Sequence, residues 1–239
     1  MLAEPDIDHR TRTGARRRKR MRRRLIESAL VVIAERGIEG AGVDEVIRTA
    51  GVSRGSYYNY FSTTRELVQA AGDELKGELF AEIVKAVEHL PDPASQVAGG
   101  FAVLAATVTA YPQLAHFVQS LDFADSGPVS EIAERFPALL RAGVEAGQFV
   151  EQPSEAMIDL ITGCVVKCVA RSTRGDLNPT YTRHLIASVL RGLGLSPDQA
   201  WAISAIEAKP LDLTDNGLLG RLHRISGNRP VGSTEKTRA

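Results

Sequence analysis

Three groups of residues in this chain have the types and spacing to do chemistry. Gly51-Val52-Ser53-Arg54-Gly55 fits the G-x-S-x-G pattern, in which a serine on a sharp strand-to-helix turn becomes a hydrolytic nucleophile. Cys164 and Cys168 are four residues apart, and with His184 they offer thiol and imidazole donors of the kind that bind a soft metal or sense oxidants. Residues 10–24 contain ten Lys or Arg and no acid, the composition of a segment that neutralises phosphates.

The elements that would have to position these groups separate them. A nucleophile elbow needs a strand before its serine, yet residues 45–50 have helical periodicity and nothing in the chain alternates with a period of two over a useful length. Cys164 and Cys168 sit among Ile161, Val165, Val166 and Val169, where helical cysteines are ordinarily core. No catalytic residue, metal site or cofactor is therefore expected. Two cysteines also make no disulfide framework, which fits a reducing compartment.

Residues 43–67 suit the basic segment better. A short apolar-periodic helix ends at Ala50-Gly51, where glycine can take the left-handed conformation, and Ser53 follows as an N-cap. This is the helix, tight turn, helix spacing of a DNA-reading helix-turn-helix, whose second helix presents its N-terminal residues to base edges. Thr63 and Glu66 form a capping box that opens a long fourth helix.

Residues 34–40, then Ala50-Gly51-Val52-Ser53-Arg54-Gly55-Ser56-Tyr57-Tyr58-Asn59-Tyr60-Phe61, then Arg65-Glu66-Leu67, resemble the N-terminal domain of the TetR family of transcriptional regulators. The resemblance covers about 45 residues. It implies an all-helical homodimer, most often a repressor, whose second domain binds a small molecule and thereby releases DNA. Carried over by position, it puts DNA contacts at Ser53, Arg54, Gly55, Ser56, Tyr58 and Tyr60. Arg54 suits bidentate readout of guanine, whereas the hydroxyls of Ser56, Tyr58 and Tyr60 suit phosphates. Three positions depart from the family pattern: Thr64 stands where a phosphate-binding lysine is usual, Ile47 replaces an alanine, and Ala41-Gly42 replaces a pair rich in Thr or Ser. Thr64 still offers a hydroxyl and a helix-terminal N–H. Arg20 and Arg23 of the basic segment are expected to supply the missing phosphate charge.

The overall charge conceals this division. The 239 residues carry 29 Lys plus Arg and 29 Asp plus Glu, but residues 69–208 hold nine basic against seventeen acidic side chains. Residues 25–68 hold four basic against six acidic, so the reading module itself is not basic. Non-specific affinity must then come largely from the arm and from main-chain dipoles.

The expected organisation is all-α: a disordered basic arm (1–18), a helix-turn-helix domain (19–66), a larger helical ligand-binding and dimerisation domain (67–208) and a disordered tail (209–239). Helices are expected near 19–36, 43–50, 54–60, 64–89, 94–110, 112–120, 128–147, 153–174 and 179–193, with a further one near 198–208. Asp92-Pro93, Asn178-Pro179 and Ser196-Pro197 mark starts, and Gln152-Pro153 and Gly127-Pro128 do so less cleanly. Helices 153–174 and 179–193, with Gly163 and Ala170 a heptad apart, form the expected dimer seam.

Phe101, Leu104, Val108, Tyr111, Phe117, Phe123, Met157 and Cys164 are candidates to line an apolar ligand pocket. Asp122 and Asp125 incline the expectation towards an apolar or weakly cationic effector. No stretch reads as a membrane span, and the export look-alike Arg22-Arg23-Arg24-Leu25 lacks an adequate apolar run. The protein is expected in the cytoplasm, associated with the nucleoid, with double-stranded operator DNA and an unknown small molecule as partners. The competing reading is a DNA-binding or architectural protein of the same fold without ligand control.

Overall fold

The computed structural model describes residues 6–38, 40–120, 130–214 and 217–227. Every regular element among them is a helix: α1 (Asp6–Arg36), α2 (Val43–Ala50), α3 (Arg54–Tyr58), α4 (Thr64–Val87), α5 (Pro93–Ala110), α6 (Pro112–Ser120), α7 (Ser130–Glu145), α8 (Ser154–Arg174), α9 (Pro179–Gly192), α10 (Pro197–Ile203) and α11 (Leu218–Gly227). Two compact units result, Met1–Gly72 and Asp73–Ala239. The division falls inside α4, later than the expected boundary at 66, because the buried Leu67 and Ala71 belong with the first unit.

In the first unit, α1 buries Leu25, Ile26, Ala29, Leu30, Val32 and Ile33, an i, i+3, i+4 stripe that packs on α2. The helix reaches back to Asp6, so the segment expected to be a disordered arm is helical from residue 6 to residue 18. Arg and Lys are good helix formers, and extending an existing helix avoids the cost of nucleation.

The second unit is organised around α5, which packs against α6, α7, α8, α9 and α10. Its 18 residues are long and apolar enough to cross a membrane by length and composition, which corrects the expectation that no such stretch exists. Val97, Ala98, Phe101, Ala102, Val103, Leu104, Ala105 and Val108 are all buried inside the unit, as in a core helix. Prolines follow side-chain caps as expected: Asp92, Asn178 and Ser196 accept from the N–H groups of Ser95, Tyr181 and Gln199 at 2.9, 2.9 and 3.3 Å. Pro153 itself occupies the cap position of α8 and has no side-chain acceptor to give. Gly127-Pro128 lies outside the described residues, and Pro137 is accommodated within α7. Gly143 of α7 is obligatory by space, since a Cβ there would overlap the Phe149 ring.

The expected disordered tail is corrected as well. Residues 209–214 and 217–227 are described, Leu213, Leu218, Leu219 and Leu222 are buried, and α11 packs on α6. Both carboxylate oxygens of Glu78 on α4 accept main-chain N–H bonds from Leu218 and Leu219, at 2.9 and 3.0 Å, and so cap α11 from outside.

Candidate nucleic-acid interface

The turn between α2 and α3 is built from its caps. Gly51 has φ 60° and ψ 45°, a left-handed conformation open to glycine at little cost, and its N–H returns to Arg48 O. Ser53 Oγ accepts from the Ser56 N–H at 3.2 Å and starts α3. Tyr57 is fully buried, with edge contact to the Tyr58 ring and its hydroxyl donating to Thr63 O at 3.3 Å. Burial raises its hydroxyl pKa. Thr63 Oγ1 accepts from the Glu66 N–H at 3.1 Å, while the Glu66 carboxylate returns to the Ser62 N–H at 2.8 Å, one residue before the cap.

Packing Tyr57 inward turns the rest of α3 outward. Arg54, Gly55 and Tyr58 are exposed, Tyr58 by 50%, and Ser56 and Tyr60 are half-buried. A Cβ built on Gly55 would meet nothing within 4 Å, so the surface there is open to a close partner. Thr64 is half-buried in the first turn of α4. The expected contact residues Ser53, Arg54, Gly55, Ser56, Tyr58, Tyr60 and Thr64 thus lie on or beside one short helix.

The charges around them are largely satisfied within the unit. Arg54 pairs with Asp44, Arg48 pairs with Glu45, and Arg36 reaches the same Glu45 oxygen at 2.9 Å. The hydrogen bond from Arg48 and the charge of Arg36 hold the Glu45 carboxyl below its ordinary pKa, and the hydrogen bond to Asp44 raises that of Arg54. Arg54 and Asp44 are both well exposed, so the pair between them is weak.

Cations of the arm also border the end of α3. Arg20 is exposed, and Arg23 is paired with Glu27 at 3.0 Å. Arg18, Lys19 and Arg22 instead line a polar cleft with Asn59 and Tyr60, next to the end of α3. Arg22 lies over the Phe61 ring, 5.4 Å from its centroid. Their helical spacing, 18 to 22, was the available signal.

The two enzymatic candidates lose their geometry. Ser53 follows a helix, caps another, and lies 3.0 Å from Ser56 Oγ, with no strand among the described residues. Cys168 is fully buried, and desolvation together with Cys164 pushes its thiol up to about 12. Burial also raises Cys164.

Residues 25–71 match the sequence pattern described as bacterial regulatory proteins, tetR family. The chain carries this family's N-terminal domain over those residues. Among curated relatives, the HTH-type transcriptional repressor KstR of Mycolicibacterium smegmatis is 26% identical over 212 residues, 87% of this chain and 91% of KstR. The HTH-type regulator YvdT of Bacillus subtilis is 28% identical over 67 residues, 25% of this chain, and the chain spans only 34% of YvdT's length. Among solved structures, RolR in complex with resorcinol shares the fold, with a TM-score of 0.63 over 82% of this chain and 98% of RolR at 24% identity.

The second unit contains an apolar cavity of about 470 Å³ walled by α4, α5, α7 and α8. Of the eight pocket candidates, Phe101 and Leu104 line it. Val108 is buried beyond it, its carbonyl accepting from the Ser172 hydroxyl at 2.7 Å. Tyr111 packs edge-on against His223 of α11, and Phe117 is buried in α6. Met157 and Cys164 pack against the α5–α9 core, with Met157 also lining a separate surface cleft. Phe123, Asp122 and Asp125 lie outside the described residues. The missed lining includes Phe80, Ile83 and Val84 of α4, Phe136 and Leu139 of α7, and the buried Lys76.

Proposed function

We propose that this protein is a ligand-responsive transcriptional repressor that binds a palindromic DNA operator as a homodimer and leaves it when a small molecule enters the cavity. The observation that carries the reading is the outward face of α3, where Arg54, Gly55 and Tyr58 stand exposed behind a buried Tyr57. An α-helix presented this way fits the major groove, with Arg54 reading a base and the hydroxyls fixing register. The cavity favours effector control over a purely architectural role, since a partly open apolar volume of this size suits a drug-sized molecule. RolR, which shares the fold, is a protein solved with resorcinol bound. Location in the cytoplasm and on the nucleoid follows from this reading, and no catalytic step belongs to it.

Dimerisation through α8 and α9 is supported by an exposed strip that contains Leu160, Gly163, Lys167, His184 and Ser188. Nothing lies within 4 Å of a Cβ built on Gly163, which leaves room for a second backbone. Trp201, 41% exposed, continues the strip with Arg183 stacked 4.0 Å from its ring centroid. A symmetric pair would set two α3 helices at major grooves about 34–36 Å apart or a multiple of that spacing.

Selection of bound duplexes from a random pool, repeated with candidate ligands, tests the proposal. Recovery of two inverted half-sites, lost on ligand addition, is expected. Enrichment without sequence preference, or binding indifferent to every ligand that occupies the cavity, would return the protein to the architectural reading.

A further inference from the structure

Lys76 is the one charged side chain among the described residues that is buried, at 3% exposure. It lies on α4, and it lines the apolar cavity. A buried ammonium is costly unless an anion meets it. Asp73, one turn earlier and half exposed, does so at 3.0 Å. An ammonium has three donors in a rotatable head, so it has the capacity to serve both Asp73 and a second carboxylate.

The rest of the lining is arranged by polarity. Phe80, Ile83 and Val87 continue the Lys76 stripe along α4, and Phe101 and Leu104 face them from α5. Glu88, exposed at the rim, ends the α4 lining twelve residues after Lys76, roughly 18 Å away at the helical rise. The slot is therefore long and apolar along its middle, with a buried cation at Lys76 and two exposed charges of opposite sign, Arg135 and Glu88, elsewhere in its lining.

We propose that the cavity takes a carboxylic acid with an extended apolar body, its carboxylate at Lys76 and its tail directed towards the Glu88 rim. The inference rests on the ligand-responsive reading above and names its effector class. A cation would face Lys76 at close range, and a neutral alcohol would leave the ammonium with no new counter-charge.

Calorimetric titration of the full-length protein with dodecanoic acid, dodecan-1-ol and dodecylammonium, each kept below its aggregation threshold, tests it. The acid is expected to bind one per chain and at least tenfold more tightly than the alcohol, with the ammonium weakest. In Lys76→Met the acid's advantage should collapse while alcohol binding is kept, and Lys76→Arg should restore it. Equal affinities for acid and alcohol, tightest binding of the ammonium, or an acid preference that survives Lys76→Met would overturn the assignment. The wild-type ligand series decides the matter even if Lys76→Met does not fold. DNA release, followed in parallel, separates the two levels. Alcohol that binds as well as acid and frees DNA removes the charge assignment alone, whereas acid that binds at Lys76 without freeing DNA removes ligand control alone.

Discussion

Replacing Arg18, Lys19 and Arg22 together with glutamine should flatten the salt dependence of DNA binding more than any other removal of three charges from the arm. These three side chains line the cleft beside Asn59 and Tyr60, so DNA docked on α3 brings its backbone to them. Each phosphate neutralised contributes about 0.9 to the slope of log affinity against log salt, so three contacts contribute up to about 2.7. Over a fourfold rise in salt, the ratio of wild-type to variant affinity then shrinks by about 40-fold. Glutamine keeps part of each stem, which limits the loss of Arg22 packing on Phe61. Fluorescence anisotropy with a selected operator and a random duplex, each over a salt series, measures the slopes. The control is Arg16, Arg17 and Arg20 changed to glutamine: equal charge, same helix, all exposed, none in the cleft. Equal flattening by the two triple variants would refute the argument, because the arm would then act as a diffuse cloud of charge rather than in register with α3.

Arg54→Ala should weaken binding to the selected operator by roughly 5- to 150-fold and relax preference at one base pair, and equal losses on random duplex would contradict base readout. Asp92→Ala should cost about 1 kcal/mol by removing the cap of α5, measured by denaturant unfolding. Burial works to raise the Asp92 pKa, but hydrogen bonds from Ser95, Gln148 and Ala94 outweigh it and lower the value. The carboxylate's contribution is therefore present above the ordinary value of 3.8 and lost as pH falls through the folded one, so the variant's stability should depend less on acid pH. Cys168, pushed up to about 12, should resist alkylation at pH 8 until the protein unfolds, and rapid native labelling would contradict its burial. Glu78→Ala should expose α11, read as lost hydrogen-exchange protection over residues 218–227 with the α5 amides unchanged.

The parts of the fold legible in the sequence are those fixed by local chemistry. Asp92-Pro93, Asn178-Pro179 and Ser196-Pro197 each combine a short side-chain acceptor with a residue preset for a first helical turn, and each caps a helix. Gln152-Pro153 does not: Pro153 itself takes the cap position of α8, and the Gln152 side chain donates to Gly192 O at 2.9 Å. The turn at Gly51 and the cap at Ser53 are local in the same sense, and with them the exposed face of α3 is readable. The cavity is not. Phe101, Leu104 and Val108 lie on adjacent turns of one helix, yet only the first two meet the empty volume, while the third is buried at a turn whose carbonyl accepts from Ser172 of α8. Lys76 escaped notice because a lone lysine in an amphipathic helix reads as solvent-facing, although its register with Phe80, Ile83 and Val87 placed it on the inner stripe. The tail is not legible from composition, because its Gly, Asn and Pro dilute the four leucines that are buried, and two of these donate main-chain N–H groups to a carboxylate far earlier in the chain.

That carboxylate bears on how α4 can respond to anything in the cavity. At about 100° per residue, Lys76, Leu79, Phe80, Ile83 and Val87 fall within one face of α4, and Glu78 lies about 200° from Lys76, on the opposite face. The inner face meets an open volume, whereas the outer face is tied through two hydrogen bonds from main-chain N–H groups to α11, which is itself anchored by Leu218, Leu219 and Leu222 and by the edge-on contact of Tyr111 with His223. A molecule filling the cavity therefore pushes α4 against a restraint rather than into solvent. Outward displacement of the helix costs the two Glu78 bonds, whereas rotation or sliding along its axis need not. The C-terminal segment, which composition alone assigns to solvent, thus restricts the directions in which a molecule bound in the cavity could move α4.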